Sequence, residues 1–370
     1  MECSVDRLAQ RSYDLVVIGG GIAGAFAAWD AALRGLSVAL LERADFGGAT
    51  SANSQRIIHG GLRYVQSLDL ARMRRSIRER RALLRIAPHL VQPMPCLLPT
   101  SHRGMNRRRV LDIACRLNDL ISTDRNRFVD DPQRHIPPAR MISREECLRL
   151  APGIRAEGLT GGAVWYDAQV RSAERLVLAC VDAATKSGAV AANYVEVVGK
   201  TSFDGQGLRL VIEDRLAGRR FDLQARMVLN AAGPWVAQVL SRCQVRAPDR
   251  LPREWVKGTC LVTRSLTNGV ALALAAVEAV HARGLLFVTP WNGQALVGTT
   301  YRAHRDGPDA CQPTEAEVDE LLRGVNTAYP AAQLRRSDVC RVHVGLLPAE
   351  HGRLCRDDSL VDHRQVGGPE

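Results

Sequence analysis

Three glycines near the N-terminus are spaced so that a polypeptide backbone can closely approach a phosphate. Gly19, Gly21 and Gly24 follow the pattern G-x-G-x-x-G. In this pattern the glycines allow a tight turn, an approach to a pyrophosphate and close packing of the next helix on the preceding strand. Glu42 lies 23 residues beyond Gly19 (42 − 19), where a carboxylate can accept hydrogen bonds from ribose hydroxyls. Together these residues predict a dinucleotide-binding site.

The acid at position 42 also limits which dinucleotide we expect. Its negative charge would repel a 2′-phosphate, so FAD or NAD is favoured over NADP. The sequence contains no second such fingerprint, because the glycine-rich segment 158–162 leads into Ala163-Val164-Trp165 without an evident helix. Flavin reductases that draw electrons from NAD(P)H usually carry two nucleotide folds. A single fold therefore favours a bound flavin that the substrate itself reduces.

The elements that must position this site follow from the surrounding pattern. The short apolar run Leu15 to Ile18 predicts a buried parallel strand. The Ala- and Leu-rich segment Ile22 to Leu33 predicts a helix that Gly35 ends, and Ser37 to Leu41 predicts the next strand. This order of strand, turn, helix, strand and acid predicts the α/β class with a Rossmann-like nucleotide-binding domain.

The rest of the chain returns to this pattern after a helical excursion between about Thr100 and Pro152. We expect the nucleotide-binding domain to be discontinuous for that reason. From Glu254 to Tyr301, alternating segments predict an antiparallel sheet. The other predicted elements are a helix over 173–188, a strand over 190–198, a hairpin-like pair over 208–212 and 221–229, and a helix over 315–329 with Thr314 as its N-cap.

Several motifs in order resemble one family. Asp45 to Ser51 is followed by His59-Gly60-Gly61-Leu62-Arg63-Tyr64. Further matching segments are 73–95, 230–235 (Asn-Ala-Ala-Gly-Pro-Trp), Lys257-Gly258, 286–291 and 298–300. This set resembles FAD-dependent glycerol-3-phosphate dehydrogenases and oxidases, within the D-amino-acid-oxidase-like superfamily. The resemblance implies an FAD-binding domain of the GR2/DAO type, formed by residues 13–90, 168–245 and 345–370. It also implies an antiparallel β-sheet substrate or cap domain, formed by 91–167 and 246–344.

The resemblance implies roles for four residues in catalysis. His59 would lie beside the isoalloxazine ring and could accept an alcohol proton as hydride leaves for the flavin; a purely structural histidine that bonds backbone in a glycine turn is the alternative. Arg63 and Tyr64 match positions that contact the substrate's phosphate or hydroxyls. Lys257 could supply positive charge, or it could merely cap a strand.

The same resemblance implies how FAD is held. The glycine turn and Glu42 would bind its pyrophosphate and ribose, and Thr50, Ser51 and Ser54 would hydrogen-bond its pyrophosphate and flavin edge. Val197 resembles a backbone contact to adenine. The remaining cofactor contacts that we expect are Gly60 and Gly61 in the turn after His59, and Ala232 and Gly233 in the segment that closes near the cofactor.

Two replacements depart from the family pattern. The family's G-[VL]-R-P motif is Gly345-Leu346-Leu347-Pro348, and its K-G-x-H motif is Lys257-Gly258-Thr259-Cys260. A guanidinium and an imidazole are lost, and each is a charge-assisted donor worth roughly 1.5–3 kcal/mol. We therefore expect very low turnover of glycerol 3-phosphate.

The end of the chain is a further departure. Family members continue into a strand and a G-x-K-x-T-T turn that opens a helix facing the flavin pyrimidine, whereas this sequence ends at Glu370. The expectation from this pattern is a truncated chain that binds FAD weakly.

Three functions follow. The main interpretation is an FAD-dependent oxidoreductase acting on a small hydroxylated, anionic substrate, with quinone or oxygen as electron acceptor. The alternatives are an amine or amino-acid oxidoreductase of the same superfamily and a truncated, non-catalytic remnant.

Composition agrees with one globular protein of 370 residues, 46% of them hydrophobic. The net charge of +11 comes from arginine, because only three of the 50 basic residues are lysines. The clusters 72–85 and 107–109 could meet anionic lipid, or they could be solvated helix faces. No aromatics are interleaved with them, so nucleic acid is not expected as a partner.

The ten cysteines contain no C-x-x-C pair, so neither a metal site nor a dithiol is indicated. Buried thiols in a reducing cytoplasm are the simplest interpretation. We expect a cytoplasmic protein with peripheral contact at the inner membrane face as its only membrane contact, and a homodimer is an open expectation.

Overall fold

The structure, a computed structural model, describes residues 5–61, 69–102, 106–204, 207–249, 251–252, 254–275, 285–351 and 353–355. Two β-sheets and the helices that accompany them form the fold. Arg63, Tyr64 and residues 356–370, which carry predicted roles in substrate binding and in closing the nucleotide-binding domain, lie outside the described residues.

The described strands range from two to twelve residues in length. In chain order they are β1 Tyr13–Ile18, β2 Val38–Leu41, β3 Ile57–Ile58, β4 Val91–Ser101, β5 Arg140–Ile142, β6 Leu159–Val170, β7 Val190–Ala192, β8 Val195–Asp204, β9 Gly207–Asp214, β10 Arg219–Asn230, β11 Glu254–Arg264, β12 Ala271–Ala275, β13 Leu285–Trp291, β14 Gln294–His304, β15 Val339–Glu350 and β16 Arg353–Leu354.

The helices connect these strands. In chain order they are α1 Val5–Leu8, α2 Ile22–Leu33, α3 Ala49–Ala52, α4 Leu70–Ile86, α5 Arg108–Ile121, α6 Arg144–Leu150, α7 Ala173–Lys186, α8 Val236–Arg242 and α9 Glu315–Ala328. Short 3₁₀ turns lie at Pro132–Arg134, Gly233–Trp235, Pro308–Ala310, Pro330–Ala332 and Arg336–Asp338.

The first sheet has the strand order β7-β2-β1-β10-β9-β8. β1 pairs in parallel with β2 and β10, and β2 pairs in parallel with β7. Because parallel strands end at the same edge of a sheet, this arrangement gathers the turn after β1 and the residue after β2 at one edge. The first sheet is therefore the nucleotide-binding half of the fold and confirms the predicted α/β class.

The small side chains of α2 let it pack tightly in the core of this half. Ala25, Ala28 and Ala32 are buried in one cluster with Val177 and Val181 of α7. Alanine has the highest helix propensity and keeps the helices close, so the Ala-rich sequence explains both the helix and its packing. This contact fixes the position of the helix N-terminus that follows the glycine turn.

The second sheet has the order β16-β15-β11-β14-β13-β12-β4-β6-β3, with β5 also paired to β6. Its neighbours are antiparallel except for the parallel pair of β12 and β4. Both faces of β11 are covered, because every residue from Val256 to Thr263 is buried. The predicted antiparallel sheet is therefore present, and it extends well beyond the segment from which it was predicted.

One detail differs from the sequence-based expectations. The strand predicted over 190–198 is divided, because Tyr194 adopts a left-handed φ of 57° that ends β7 before β8 begins. The segment from Gly345 to Glu350 belongs to β15, which pairs with β11 in the second sheet. The predicted domain boundaries remain a prediction.

Candidate functional site

The glycine turn after β1 is so close-packed that its glycines cannot carry side chains. A Cβ on Gly24 would lie 1.9 Å from the carbonyl oxygen of Gly19, and a Cβ on Gly19 would lie 2.6 Å from that of Ala231. Gly19 also has a φ of +108°, a conformation that favours glycine. Gly21 is the N-cap of α2 and provides no side-chain cap. The first N–H groups of α2 therefore lie at the turn without a cap from Gly21, and that of Ile22 donates to Ser51 Oγ.

The carboxylate of Glu42 is fixed beside this turn by two backbone donors. The N–H of Gly20 donates to Oε2 at 2.7 Å and that of Ala44 donates to Oε1 at 2.8 Å. A carboxylate has about four lone-pair positions, so each oxygen retains capacity for a ribose hydroxyl. Glu42 consequently occupies the place expected from its spacing and is held rigidly there.

A cleft of about 320 Å³ runs along this edge of the first sheet. Eight of the twelve predicted cofactor contacts line it together: Gly19, Gly21, Glu42, Thr50, Ser51, Val197, Ala232 and Gly233. A nucleotide fits the chemistry of this lining, since a Cβ on Gly21 would intrude to 3.1 Å from Ser51 Oγ. Ser51 Oγ in turn accepts from the N–H of Ile22 at 3.0 Å. The lining thus combines backbone donors, hydroxyls and one acid, as a dinucleotide site requires.

One end of the cleft carries a cluster that the sequence analysis missed. The Arg43 guanidinium lies 4.4 Å from the centre of the Trp235 ring, and it pairs with Asp309 at 2.7 Å. Asp309 also accepts from the Trp235 indole N–H at 2.9 Å. Asp309 belongs to a distant 3₁₀ turn, so only tertiary structure brings it here. The position of Arg43 directly after Glu42 was the one signal available from sequence.

His59 lies outside that lining and meets a buried acid. β3 pairs with β6 so that Ile58 stands opposite Ala168. Continuing this register by one residue brings His59 to Asp167, with Nδ1 and Oδ2 3.3 Å apart. The imidazole is 26% exposed and meets the Phe287 ring edge-on. A histidine held through Nδ1 can use Nε2 for proton transfer.

The glycines after His59 make room for helix α4. A Cβ on Gly60 would lie 1.7 Å from Arg80 Nη1, and a Cβ on Gly61 would lie 2.6 Å from Met73 Cγ. Arg80 is only 3% exposed and donates to Asp167 at 2.9 Å. Part of the arginine cluster is thus structural rather than a solvated face, and the sequence analysis missed both Arg80 and Asp167.

Lys257 is not brought to the cleft. Its Nζ pairs with the Glu317 carboxylate of α9 at 2.9 Å and donates to the Gln312 carbonyl oxygen at 2.8 Å. Burial acts to raise the pKa of Glu317, but the hydrogen bonds from Lys257 and Thr314 together with the charge of Lys257 outweigh it, and the net shift is downward. Lys257 therefore ties α9 to the sheet, and its predicted role in substrate binding remains a prediction.

Cys260 lies on the other face of β11. Gln55 Nε2 lies 3.6 Å from the Cys260 sulfur, and Thr289 Oγ1 donates to Gln55 Oε1 at 3.3 Å. Burial raises the pKa of Cys260 to about 12, so the thiol stays protonated and chemically inert. His343 stands opposite Cys260 in the neighbouring strand, and its buried Nδ1 has no hydrogen-bond partner among the described residues.

Two of the hydroxyl residues predicted to bind the cofactor have hydrogen-bond partners within the protein. Ser54 Oγ accepts from the Arg56 N–H at 3.2 Å, and Thr50 Oγ1 donates to the Leu346 carbonyl oxygen at 3.1 Å.

Within the described part of the chain, no group of three or more His, Cys, Asp or Glu side chains could hold a metal ion. None of the described helices has the length and hydrophobicity needed to cross a membrane.

The fold and cleft define a flavin-dependent class of enzyme, and sequence comparison gives the same result. Residues 14–367 match the DAO family of FAD dependent oxidoreductases, and the chain belongs to that family. It is 35% identical to a glycerol-3-phosphate dehydrogenase of Synechocystis sp., over 96% of this chain and 65% of the relative. It is 31% identical to an alpha-glycerophosphate oxidase of Streptococcus pneumoniae, over 96% of this chain and 57% of the relative.

Comparison with solved structures supports the same fold. The glycerol-3-phosphate dehydrogenase of Bacillus halodurans in complex with FAD superposes with a TM-score of 0.71 at 26% identity, over 94% of this chain and 59% of that chain. An L-alpha-glycerophosphate oxidase of Mycoplasma pneumoniae with FAD bound gives 0.69 at 16% identity, over 94% of this chain and 88% of that chain, and supports the fold alone. The chain thus spans about three fifths of the curated relatives. The predicted family, fold class and FAD dependence are confirmed.

Proposed function

We propose that this protein oxidises a small hydroxylated, anionic substrate of the glycerol-3-phosphate type and passes the electrons to quinone or oxygen. One observation carries the proposal: in the turn after β3, His59 is oriented by a buried carboxylate. The glycerol-3-phosphate dehydrogenase and the glycerophosphate oxidase among its relatives support the substrate class.

The cofactor would be held by the residues of the cleft. The N-terminus of α2 and the turn at Gly19 and Gly21 would face the pyrophosphate, and Glu42 would bind the ribose. Thr50 and Ser51 would contribute hydroxyls on the flavin side. FAD, when bound, supplies the acceptor for a hydride and transfers the electron pair onward.

His59 would act on the substrate hydroxyl. Alcohol oxidation removes a hydride from carbon and a proton from oxygen, and His59 Nε2 would take that proton. Arg63 and Tyr64 remain our candidates for the anionic group, on the basis of the family pattern. Because Lys257 is paired with Glu317, Arg63 is the cation on which binding of the substrate's anionic group would depend.

A substrate survey tests this function. Purified protein loaded with FAD is mixed anaerobically with glycerol 3-phosphate, with other phosphorylated or carboxylated alcohols, and with glycine and proline, and the loss of the oxidised-flavin absorbance is followed. We expect reduction by at least one anionic alcohol and a ketone product. Reduction by the amines alone, with an imine product, would overturn the proposal in favour of an amine oxidoreductase.

We also propose a cytoplasmic protein with peripheral contact to anionic lipid through α5. Ile113 and Leu120 are 67% and 71% exposed. They lie seven residues apart on one face of the helix, and Arg109 and Arg116 are exposed on the same face. Apolar side chains bordered by arginines suit the interface of a negatively charged membrane.

Vesicle sedimentation tests this contact. We expect more protein to sediment with vesicles of phosphatidylglycerol and phosphatidylcholine than with phosphatidylcholine alone, and expect Ile113→Asp combined with Leu120→Asp to remove the difference. Leu216→Asp is the matched control, because Leu216 is 71% exposed in a turn elsewhere. Equal sedimentation of the double variant and the control would contradict the proposal.

A further inference from the structure

We propose that Asp167 is a positioning residue that sets the tautomer of His59, keeping the proton on Nδ1 and the lone pair on Nε2. The proposal rests on the proposed function for its catalytic meaning, but the tautomer itself can be observed without turnover. It assigns a role to a buried network that includes Arg80, Gly60 and Trp165.

The Asp167 carboxylate is surrounded by hydrogen-bond donors. Oδ1 accepts from the Gly60 N–H at 2.6 Å and from Arg80 Nη1 at 2.9 Å. Oδ2 accepts from the Trp165 indole N–H at 3.3 Å and faces His59 Nδ1 at the same distance. A backbone amide, a guanidinium and an indole can only donate. The carboxyl group is therefore an acceptor to each of them.

The Asp167 carboxylate is also ionised. Its pKa is lowered overall: burial acts to raise it, and the hydrogen bonds from His59 and the Gly60 N–H together with the charge of Arg80 act in the opposite direction. An ionised carboxylate has no proton to give. Nδ1 of a neutral imidazole must consequently carry the hydrogen in this pair, which leaves Nε2 as the acceptor.

The positive charge of Arg80 balances the negative charge of Asp167, so the buried network is close to neutral. It is 3% exposed, and burial lowers its pKa, opposed by the charge of Asp167. Its Nη1 also donates to the Tyr166 carbonyl oxygen at 2.8 Å. A buried carboxylate with no cation would be costly to desolvate, so Arg80 lets Asp167 remain charged beside His59.

The other groups around the network do not change this assignment. Arg125 adds a weaker positive charge near Arg80, and Cys96 stays protonated because burial raises its thiol pKa. On the side of β13, the neighbour of His59 is the uncharged Phe287 ring. Within the described residues, Asp167 is thus the group that accepts from Nδ1.

The substitution Asp167→Asn would exchange donor and acceptor in the hydrogen bond between residue 167 and His59 Nδ1. The amide oxygen would remain with Arg80 and the Gly60 N–H, which both require an acceptor. The amide nitrogen would then replace Oδ2, so it would face His59 and leave the Trp165 indole N–H without its acceptor. Nδ1 would then have to accept, and the proton would move to Nε2. A histidine without its lone pair at Nε2 cannot take the substrate proton, and loss of a general base costs about 10²- to 10⁴-fold in rate.

Nitrogen NMR of the full chain labelled with [¹⁵N]histidine tests the assignment, with His59→Gln identifying the signals of His59. We expect a protonated Nδ1 and an unprotonated Nε2 in the parent, and the reverse in Asp167→Asn. We also expect flavin reduction to slow at least about 100-fold in that variant, with normal flavin occupancy. Asp167→Glu should restore the parent tautomer and part of the rate.

Two further variants keep the test decisive. Asp124→Asn removes another acid that pairs with arginines of α4, Arg74 and Arg81, and should leave the His59 tautomer unchanged. If Asp167→Asn does not fold, Asp167→Asn with Arg80→Gln removes both buried charges and should show the same reversal. A parent with the proton on Nε2, or a variant with an unchanged tautomer, overturns the proposal. The expected tautomers without flavin reduction by any alcohol would overturn the proposed function instead.

Discussion

At the scale of single residues, the site depends on glycines, which have no side chain, as much as on residues that carry one. Gly24 and Gly60 leave space that a backbone carbonyl and a guanidinium fill, at 1.9 Å and 1.7 Å from where a Cβ would stand. Leu347 stands at the position of the arginine in the G-[VL]-R-P motif and carries no polar group. Alternation along β15 places it on the same face as Gly345, which packs against Thr50.

Gly21→Val should sharply reduce FAD occupancy, because a branched side chain would enter the pyrophosphate path beside Ser51. The absorbance ratio of flavin to protein after purification measures this. Gly199→Val is the control, since the nearest atom to its Cβ is 3.8 Å away and it lies in β8. Equal occupancy in the two variants would contradict the nucleotide assignment.

Leu347→Arg should raise kcat/KM for glycerol 3-phosphate by about 10- to 100-fold, since a charge-assisted hydrogen bond contributes roughly 1.5–3 kcal/mol. Stopped-flow reduction of the bound flavin measures it. Leu347→Gln, of similar length but uncharged, should give little gain. Rapid turnover of glycerol 3-phosphate by the parent chain would show instead that other residues suffice for the phosphate.

At the scale of elements, both a capping box and an ion pair with the sheet hold the N-terminus of α9 in place. Thr314 forms a capping box with Glu317, and Glu317 also pairs with Lys257 of β11. The same residue therefore completes the cap and holds the helix on the sheet. The predicted N-cap at Thr314 is confirmed, and the helix begins at Glu315 as predicted.

Thr314→Ala should lower the free energy of unfolding by about 1 kcal/mol, because the Glu317 N–H loses its side-chain acceptor. Urea unfolding followed by circular dichroism measures the change. Thr327→Ala, in the last turn of the same helix, removes an exposed hydroxyl and should have a smaller effect. Equal losses in both variants would show that the cap contributes nothing specific.

At the scale of the whole molecule, Arg56 joins the two halves of the fold. Its guanidinium pairs with Glu174 of α7 at 2.8 Å and lies 4.4 Å from the centre of the Trp291 ring of β13. The arginine side chain is 1% exposed, whereas Glu174 is 40% exposed. One buried cation thus connects a helix of the first half with a strand of the second.

This connection predicts a stability that falls with acid. Burial is the largest single influence on the pKa of Glu174 and acts to raise it, but the hydrogen bonds from Arg56, Ser172 and its own backbone together with the charge of Arg56 lower it to about 2 from 4.5. A depressed folded-state pKa stabilises the fold above pH 4.5, and this stability is lost as the pH falls toward 2. Melting temperature against pH should show this loss, and Glu174→Gln should flatten it. The exposed pair of Glu157 with Arg155 provides the control, Glu157→Gln.

The features that were predicted correctly from the sequence are those that depend on residues close together in the chain. The helix Ile22–Leu33 and the acid at Glu42 follow from periodicity and spacing within one stretch of chain. Asp167 could not be found that way, because it reaches His59 only through the pairing of β3 with β6. Lys257 could not be placed on a face, because β11 is buried on both sides and its pattern does not alternate.

The space at Gly60 has an evolutionary consequence. Because a methyl group there would overlap Arg80, positions 60 and 80 cannot drift independently in any protein that keeps this packing. A side chain at position 60 would require the Arg80 guanidinium to move away or to be replaced by a smaller group. Either change would leave the charge of Asp167 without its partner, so we expect the three positions to change together.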